Sequence, residues 1–532
     1  MHSRLYHHIK NLLLPCFTFS VLTGFFSAIL VTTFKLLAEW IIHLSNLLYG
    51  AVRANPAWLP LLIVAAAVIG HCASLLLTVS HSCRGGGIPT SVAAIRGIVS
   101  FRWIRGILLL PVSALLSFLA GLPLGTEGPC VQMGTAVGDG VTKCLGRDKH
   151  KGWRRYIMTG GASAGFSIAT ASPLSAIVFS MEELHKHFSP MLLSVASVSV
   201  AVAQITVRVL ASVGIGSVSF FRVAQIEPLA PSLFFAPLLI GLICGGCAIL
   251  YTRLYHLIDH LMHALLKKLS VKIVLPILFA LTAVVGFFLA DTLGTGHSLV
   301  QSLLTVQGAW YSLLLIFLLR TIGMMLSNTS GATGGVFLPT LAFGAIIGAL
   351  SSKCMVALGW IGTEHYTLMI VLGICAFLGA TSRIPLTASV FAVEALGGIH
   401  AALPALLAVT IALFTVEASG LEDFTDTVIN AKMRKITKNK KPLSVEVPLT
   451  ATRDCFAIGK ELRDVLWPNS CVVVSFARAN HAEGNVGIAE GDVITLRYVT
   501  YDPASTAEEI RALVGEQSEE ILRLMIPPSD AA

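Results

Sequence analysis

Two acidic positions stand where charge is most costly. In "GTEGPCVQMG", residues 125–134, Glu127 lies between glycines and ahead of a proline, in surroundings as apolar as a membrane span. In "SPLSAIVFSMEEL", residues 172–184, Glu182 and Glu183 close an otherwise apolar helix. An unpaired carboxylate at the centre of a bilayer costs about 3 kcal/mol on insertion scales, so an acid held there points to a function. At a helix start, Glu127 is an anion tethered to an anion site: it competes with a mobile anion, and on protonation it loses its charge and carries the proton away. Its plain alternative is a first-turn glutamate that stabilises its helix by a few tenths to about 1 kcal/mol. Adjacent helical residues point about 100° apart, so Glu182 and Glu183 face different neighbours.

Three glycine-rich breaks each precede an apolar helix: "RGGGIP" at 84–89, "GTEGP" at 125–129 and "GGVFLP" at 334–339. Proline suits the first helical turn, where its missing N–H costs nothing. A helix start leaves unpaired N–H groups and about half a positive charge, so several starts aimed at one point make an anion site without Lys or Arg. The alternative use of these glycines is close helix packing.

The elements that must hold these residues are membrane helices. The chain has 532 residues, 55% of them apolar and only 12% charged, with a mean hydropathy of +0.79, which excludes an ordinary soluble globule. Spanning-length apolar stretches recur near 11–34, 57–80, 106–124, 190–213, 229–252, 272–292, 310–327, 336–358 and 366–382, with a last long one at 385–419. The first is too long for a signal-peptide core and is read as retained. The basic flanks "MHSRLYHHIK" at the start and "AKMRKITKNKK" at 431–441 place both termini in the cytoplasm and imply an even number of crossings. Their Lys and Arg serve topology and headgroup contact; nucleic acid is not implied.

The membrane part carries an internal repeat. "SPLSAIVFSMEEL" at 172–184 and "IPLTASVFAVEAL" at 384–396 share Pro, Leu, Ala, Val, Phe, Glu and Leu in register, 212 residues apart. "GTEGPCVQMGTAVG" at 125–138 and "GVFLPTLAFGAIIG" at 335–348 align Gly, Pro, Gly and Gly, 210 apart. Breaks at matching points of two halves are the sequence mark of a transport site built from interrupted helices. Glu182 has a counterpart, Glu394, which suits a structural task common to both halves. Glu183 is matched by Ala395 and is the candidate for an asymmetric task such as taking protons from the cytoplasm.

Other features carry less. The eleven Cys form no disulfide framework, and Cys244 and Cys247 in "LICGGCAIL" read as close helix packing. His256, Asp259, His260 and His263 share a metal-like face, read here as the wet end of a helix running into Lys267 and Lys268. No metal site, cofactor motif or enzyme signature is present. From about residue 443 the chain turns soluble: strand-like "SVEVPLT", "CVVVSFAR" and "DVITLRYV" alternate with helix-like "CFAIGKELRDVLW" and "TAEEIRALVGEQ", a small α+β module.

These motifs resemble those of the CLC chloride channels and proton/chloride exchangers. "GTEGP" resembles their GREGP or GKEGP, "GGGIP" their GSGIP, "GGVFLP" their GxFxP, and "GASAGFSIATASPLSAIVFSMEEL" the corresponding helix pair. The resemblance covers roughly residues 10–430 and implies an all-α polytopic fold, an inverted repeat of tilted and re-entrant helices, assembled as a homodimer with one anion pathway per subunit. By resemblance Glu127 is the external gating glutamate and Glu183 the internal proton glutamate. Chloride would be held by backbone N–H groups at Val336 and Phe337, within a site that includes Gly86, Gly87, Gly125 and Gly128. Departures are visible. Gly86 stands where a chloride-coordinating Ser is expected, Thr126 replaces a basic residue, and the central Tyr position falls on Phe424 or Thr425 in "EDFTDTVI".

The expected organisation is a CLC-like membrane domain, 1–430, a basic linker, 431–442, and a cytoplasmic regulatory domain, 443–532. That last domain resembles the C-terminal domain of potassium-conductance regulators, which implies a prokaryotic inner-membrane protein and dimerisation; such domains can also bind a small ligand such as a cyclic dinucleotide, the alternative being a dimerisation module without a ligand. The function implied is proton-coupled chloride antiport across the lipid bilayer, without cofactor. The alternatives are a passive, pH-gated chloride channel and an intramembrane enzyme using Glu127 and Glu183 as an acid pair.

Overall fold

The computed structural model describes residues 14–80, 83–99, 102–145, 152–216, 220–221, 226–305, 309–437, 442–453, 455–468, 471–479 and 487–526. The basic N-terminal segment and most side chains of the 431–441 linker lie outside them. Apolar sequence with few β-branched runs folds into helices because no other open structure satisfies the backbone in hydrocarbon. In chain order these are α1 (Leu14–Ala54), α2 (Leu59–Val79), α3 (Ile88–Ile95), α4 (Trp103–Leu119), α5 (Glu127–Leu145), α6 (Arg154–Thr170), α7 (Pro173–Phe179) and α8 (Pro190–Ser212). The second half continues with α9 (Phe235–Lys268), α10 (Val271–Phe288), α11 (His297–Thr305), α12 (Trp310–Ser330), α13 (Phe337–Ala357), α14 (Tyr366–Ser382), α15 (Pro385–Phe391), α16 (Ala402–Glu417) and α17 (Phe424–Thr437). Among the described residues, nine helical segments are long and apolar enough to cross a membrane.

The repeat is visible in the packing. Helices α5 and α6 meet backbone to backbone: a Cβ on Gly134 would lie 2.0 Å from the Gly161 carbonyl oxygen, and one on Gly138 2.4 Å from that of Ile157. The second half repeats the contact between α13 and α14, where Gly344 meets Gly373 at 2.5 Å and Gly348 meets Met369 at 2.4 Å. Glycine lets two helix backbones close to a distance any side chain would prevent. Both α6 and α14 end on a left-handed residue that is not glycine, Ala171 and Arg383, each with φ 52°.

Two expectations are corrected. The apolar stretch 385–419 is not one span: α15 runs into a π-helical turn, Ala392–Gly397, and breaks at Gly398, φ 66°, before α16. The first half matches it, with α7 passing into a π-helical turn, Ser180–His185, that ends on Lys186 at φ 53°. The "CFAIGKELRDVLW" stretch is not helical either, forming turns and one 3-10 turn, Leu462–Asp464. Its backbone is paired elsewhere: Ala457 N–H donates to Leu513 O at 2.9 Å, Gly459 N–H to Ile488 O at 2.8 Å, and Ile488 N–H to Lys460 O at 2.8 Å. Gly459, φ 79°, supplies the left-handed turn that a helix could not contain.

The C-terminal module is a three-stranded antiparallel sheet in the order β1 (Leu443–Thr450), β3 (Val493–Thr500), β2 (Cys471–Ala477), with α18 (Pro503–Val514) and α19 (Glu519–Met525). It packs on the ends of α5 and α6. Phe456 meets Trp153 edge to face at 5.3 Å, and Arg155 of α6 donates to Glu509 Oε2 at 2.5 Å and to Trp467 O at 2.8 Å. Tyr156 donates to Asp464 O and accepts from Leu466 N–H at 2.9 Å.

The Cys244–Cys247 segment and the His256–His263 face lie on α9. Cys244 is buried, and Gly241 and Gly245 let α9 approach α16, the first with a would-be Cβ 2.5 Å from Ala408 O. His263 lies 3.2 Å from Asp259, and no three His, Cys, Asp or Glu among the described residues are placed to hold a metal.

Candidate functional site

The three glycine breaks converge. Gly125 and Gly335 form an isolated antiparallel bridge, Gly125 N–H donating to Gly335 O at 2.6 Å and Gly335 N–H to Gly125 O at 2.7 Å. Corresponding turns of the two halves therefore pair with each other, which satisfies backbone groups that would otherwise be orphaned inside the membrane. The third break closes on this pair: a Cβ on Gly128 would lie 2.0 Å from Gly86 O, and one on Gly87, whose φ is 78°, 2.2 Å from Gly128 O. The starts of α3, α5 and α13 are thereby held at one place, with Gly86, Gly87, Gly125 and Gly128 forming the knot between them.

Glu127 is the first residue of α5 and is fully buried. Its Oε1 accepts from Thr126 Oγ1 at 3.3 Å, and its Oε2 has no hydrogen-bond partner among the described residues. Gly125 makes the space for this carboxyl, since a Cβ there would lie 2.5 Å from Oε2. A buried carboxyl oxygen without a donor is costly as an anion, and such a group is poised to take a proton or to leave its place.

Val336 and Phe337, at the start of α13, line a cavity of about 20 Å³ together with Phe179, Tyr251, Phe424 and Thr425. Glu183 lines the same cavity. Both candidates for the central position are used: Phe424 lays its ring edge to face against Tyr255 at 4.7 Å, and Thr425 donates its hydroxyl to Glu183 Oε1. Glu127 and the glycine knot adjoin this cavity through the 335–338 turn, the would-be Cβ of Gly125 lying 3.2 Å from Leu338 Cβ. The sequence reading missed Tyr251, whose phenol ring lines the cavity. Its one signal was the spacing of Tyr251 and Tyr255 on one face of α9, which in most helices marks only a core stripe.

Around Glu183 is an ion network that sequence alone did not assemble. Arg96, just past α3, donates to Leu184 O at 3.1 Å and Glu183 O at 3.3 Å, and reaches Asp426 at 3.5 Å. Lys186 pairs with Asp423 at 2.9 Å and Asp426 at 2.5 Å. Glu183 is 2% exposed and its Oε2 has no partner among the described residues.

Glu182 points elsewhere, as its repeat partner suggested. Its carboxylate accepts from Leu386 N–H at 2.9 Å, Thr387 N–H at 2.7 Å and Thr387 Oγ1 at 2.7 Å, at the start of α15. Glu394 does the same for α7, accepting from Leu174 N–H, Ser175 N–H and Ser175 Oγ, each at 2.9 Å. Each half thus supplies the carboxylate that caps the other half's short helix.

Known proteins share this arrangement of chain. A family profile described as voltage gated chloride channel matches residues 69–417. The H(+)/Cl(-) exchange transporter ClcA of Vibrio parahaemolyticus serotype O3:K6 is 27% identical over 403 residues, covering 74% of this chain and 83% of the relative. The protein of the same name from Yersinia pseudotuberculosis serotype IB is 27% identical over 394 residues, covering 73% and 81%. Among solved structures, a slow cyanobacterial Cl-/H+ antiporter superposes with a TM-score of 0.72 at 20% identity over 79% of this chain and 98% of that one. A CLC-type fluoride/proton antiporter gives 0.63 at 20% identity, over 76% and 96%. The profile covers well over half of the chain, and the paired glycine turns it spans are those that build the site. The chain belongs to the voltage gated chloride channel family, a multi-span membrane family with the CLC fold.

Proposed function

We propose that this protein exchanges chloride for protons across the membrane, with Glu127 and Glu183 as the two proton carriers. The observation that carries the reading is that both acids are buried beside the helix-start site and each keeps one carboxyl oxygen, Oε2, without a partner among the described residues. A channel needs one such acid as a gate; a second, Glu183 in the lining of the anion cavity, serves proton delivery. The relatives named as exchangers support the same choice.

In this mechanism the anion sits at the start of α13, held by the N–H groups of Val336 and Phe337 and the positive end of the helix. Ionised Glu127 competes for that position. When it takes a proton it loses its charge and yields the site, so the arrival of an anion and the loading of a proton are linked. Glu183 exchanges protons with the cytoplasm at the edge of the Arg96, Lys186, Asp423 and Asp426 network. With Gly86 in place of a hydroxyl donor, the anion relies on backbone N–H groups and water, and the site suits chloride or a similar weakly hydrated anion.

The assembly proposed is a homodimer in the inner membrane of a prokaryote, with both termini cytoplasmic and the 443–532 module as a regulatory, dimerising domain that takes a small ligand such as a cyclic dinucleotide. The outward leucines of the capped short helices, Leu174 at 61% and Leu386 at 46% exposed, support a protein or lipid partner on that face.

The test is proton movement in liposomes holding the purified protein, with a chloride gradient imposed and the voltage set by a potassium ionophore. Protons driven uphill establish exchange, and Glu127→Ala is expected to abolish that coupling while anion flux remains. Chloride flux without proton movement would establish the rival reading, a passive channel gated by pH at Glu127. Turnover of a substrate without ion flux would favour an intramembrane enzyme.

A further inference from the structure

Between the membrane body and the C-terminal module lies a cavity of about 510 Å³, within the range of small-ligand sites. Every titratable side chain in its described lining, apart from the Cys471 thiol, is basic: Arg96, Arg155, Lys186, Arg463, His185 and His187. The acids that balance them stand outside the lining: Asp423 and Asp426 behind Arg96 and Lys186, Glu509 behind Arg155, and Glu461 beside Arg463, whose Nε it meets at 2.7 Å. They fix the cations in place but do not use up their donors. Arg96 engages three of a guanidinium's five N–H groups and Arg155 two, and Lys186 engages two of its three. His187 Nδ1 is buried with no partner among the described residues. Trp467 and Pro468 add an apolar wall.

We propose that this space binds a soluble phosphorylated anion of nucleotide size, and that its occupancy is felt at Glu183. Forked guanidinium donors match phosphate oxygens, and the volume exceeds what a lone chloride fills. Transmission has a covalent path: His185, Lys186 and His187 follow Glu183 after the single residue Leu184, and Arg96, which would contact the ligand, already holds the carbonyls of Glu183 and Leu184. The site uses both parts of the chain, so it differs from a ligand site on the C-terminal module alone. It goes beyond the exchange reading, and basal exchange is measured separately below.

The experiment uses the full-length protein with AMP and inorganic phosphate as probes. In detergent, AMP is expected to raise the thermal-unfolding midpoint saturably, phosphate less so. Arg463→Gln, a change at an exposed residue outside the transport site, is expected to weaken AMP binding about tenfold, as loss of one charged donor does. His187→Gln serves as a second variant should the first fold poorly. In liposomes, AMP on the module's side is expected to change chloride-driven proton uptake at least twofold, and Arg463→Gln to keep basal uptake but lose the response. Absence of saturable protection up to about 10 mM probe, or equal binding by both variants, overturns the site. Protection by anionic lipid alone overturns a soluble ligand, and binding without any change in uptake overturns the link to Glu183.

Discussion

Thr425 donates its hydroxyl hydrogen bond to Oε1 of Glu183, joining the start of α17 to the turn that follows α7 across 242 residues of sequence. A hydroxyl can donate or accept, so this partner serves the carboxyl in both protonation states. Thr425→Val keeps the shape and removes the carboxyl's only hydrogen-bond partner among the described residues. The ionised form then loses that donor, and proton uptake is expected to fall several-fold while chloride flux persists; Thr425→Ser should restore it. The flux ratio at a fixed chloride gradient checks this, and an unchanged ratio in the valine variant would remove the hydroxyl from the proton path.

Glu182 differs from its neighbour in having every oxygen satisfied. Because it caps α15 while Glu394 caps α7, the two carboxylates are expected to be equivalent in stability and silent in coupling. Glu182→Ala and Glu394→Ala should each cost about 1–3 kcal/mol, the price of orphaned backbone donors at a helix start, read as similar drops in thermal-unfolding midpoint. A large loss of coupling in one variant alone, with stability intact, would contradict the shared capping role.

Much of this was legible because it rests on residue types that have few other uses. Glycines at 125, 128, 335 and 344, and the matched glutamates at 182 and 394, disclosed the repeat and the site. What stayed hidden depends on contacts between distant segments. The left-handed ends at Ala171 and Arg383 lack the glycine that would announce them, and the Arg96–Asp426 pair links residues 330 positions apart. Tyr251 looked like any core aromatic. In the module, alternation gave the strands correctly, whereas 455–467 had helical composition and lost it to backbone pairing with Leu513 and Ile488.

The glycine knot separates two kinds of change. Gly125→Ala places a methyl 2.5 Å from Glu127 Oε2, the free end of a side chain that can move. The protein should fold, with the carboxyl displaced from its pocket and proton coupling reduced at least several-fold. Gly128→Ala directs a methyl to 2.0 Å from the Gly86 carbonyl, which is backbone and cannot yield. That variant is expected to lose folded protein rather than coupling. Size-exclusion profiles together with flux assays distinguish the two, and a well-folded, fully coupled Gly125→Ala protein would show that Glu127 does not depend on this space.

Lys460 lies where the C-terminal module meets the membrane body, 5% exposed, its ammonium 3.4 Å from the centre of the Phe456 ring and 5.5 Å from that of Trp153. Burial pushes its pKa down from 10.5 to about 7, the nearby Cys455 and Cys16 opposing the shift only weakly. The unfolded chain therefore holds a proton between about pH 7 and 10.5 that the folded one has released, and stability rises with pH across that window. Below about 7 both forms are charged and the penalty is constant. Burial raises the Cys455 and Cys471 thiols above their usual 9, which works in the opposite direction at higher pH. The clean interval is thus about pH 7 to 8.5, where the module should gain roughly 1–2 kcal/mol. Tryptophan fluorescence of thermal unfolding, through Trp153 and Trp467, measures it. Lys460→Met should be more stable at pH 7 and flat over the same interval; a slope that survives the substitution would place the titrating group elsewhere.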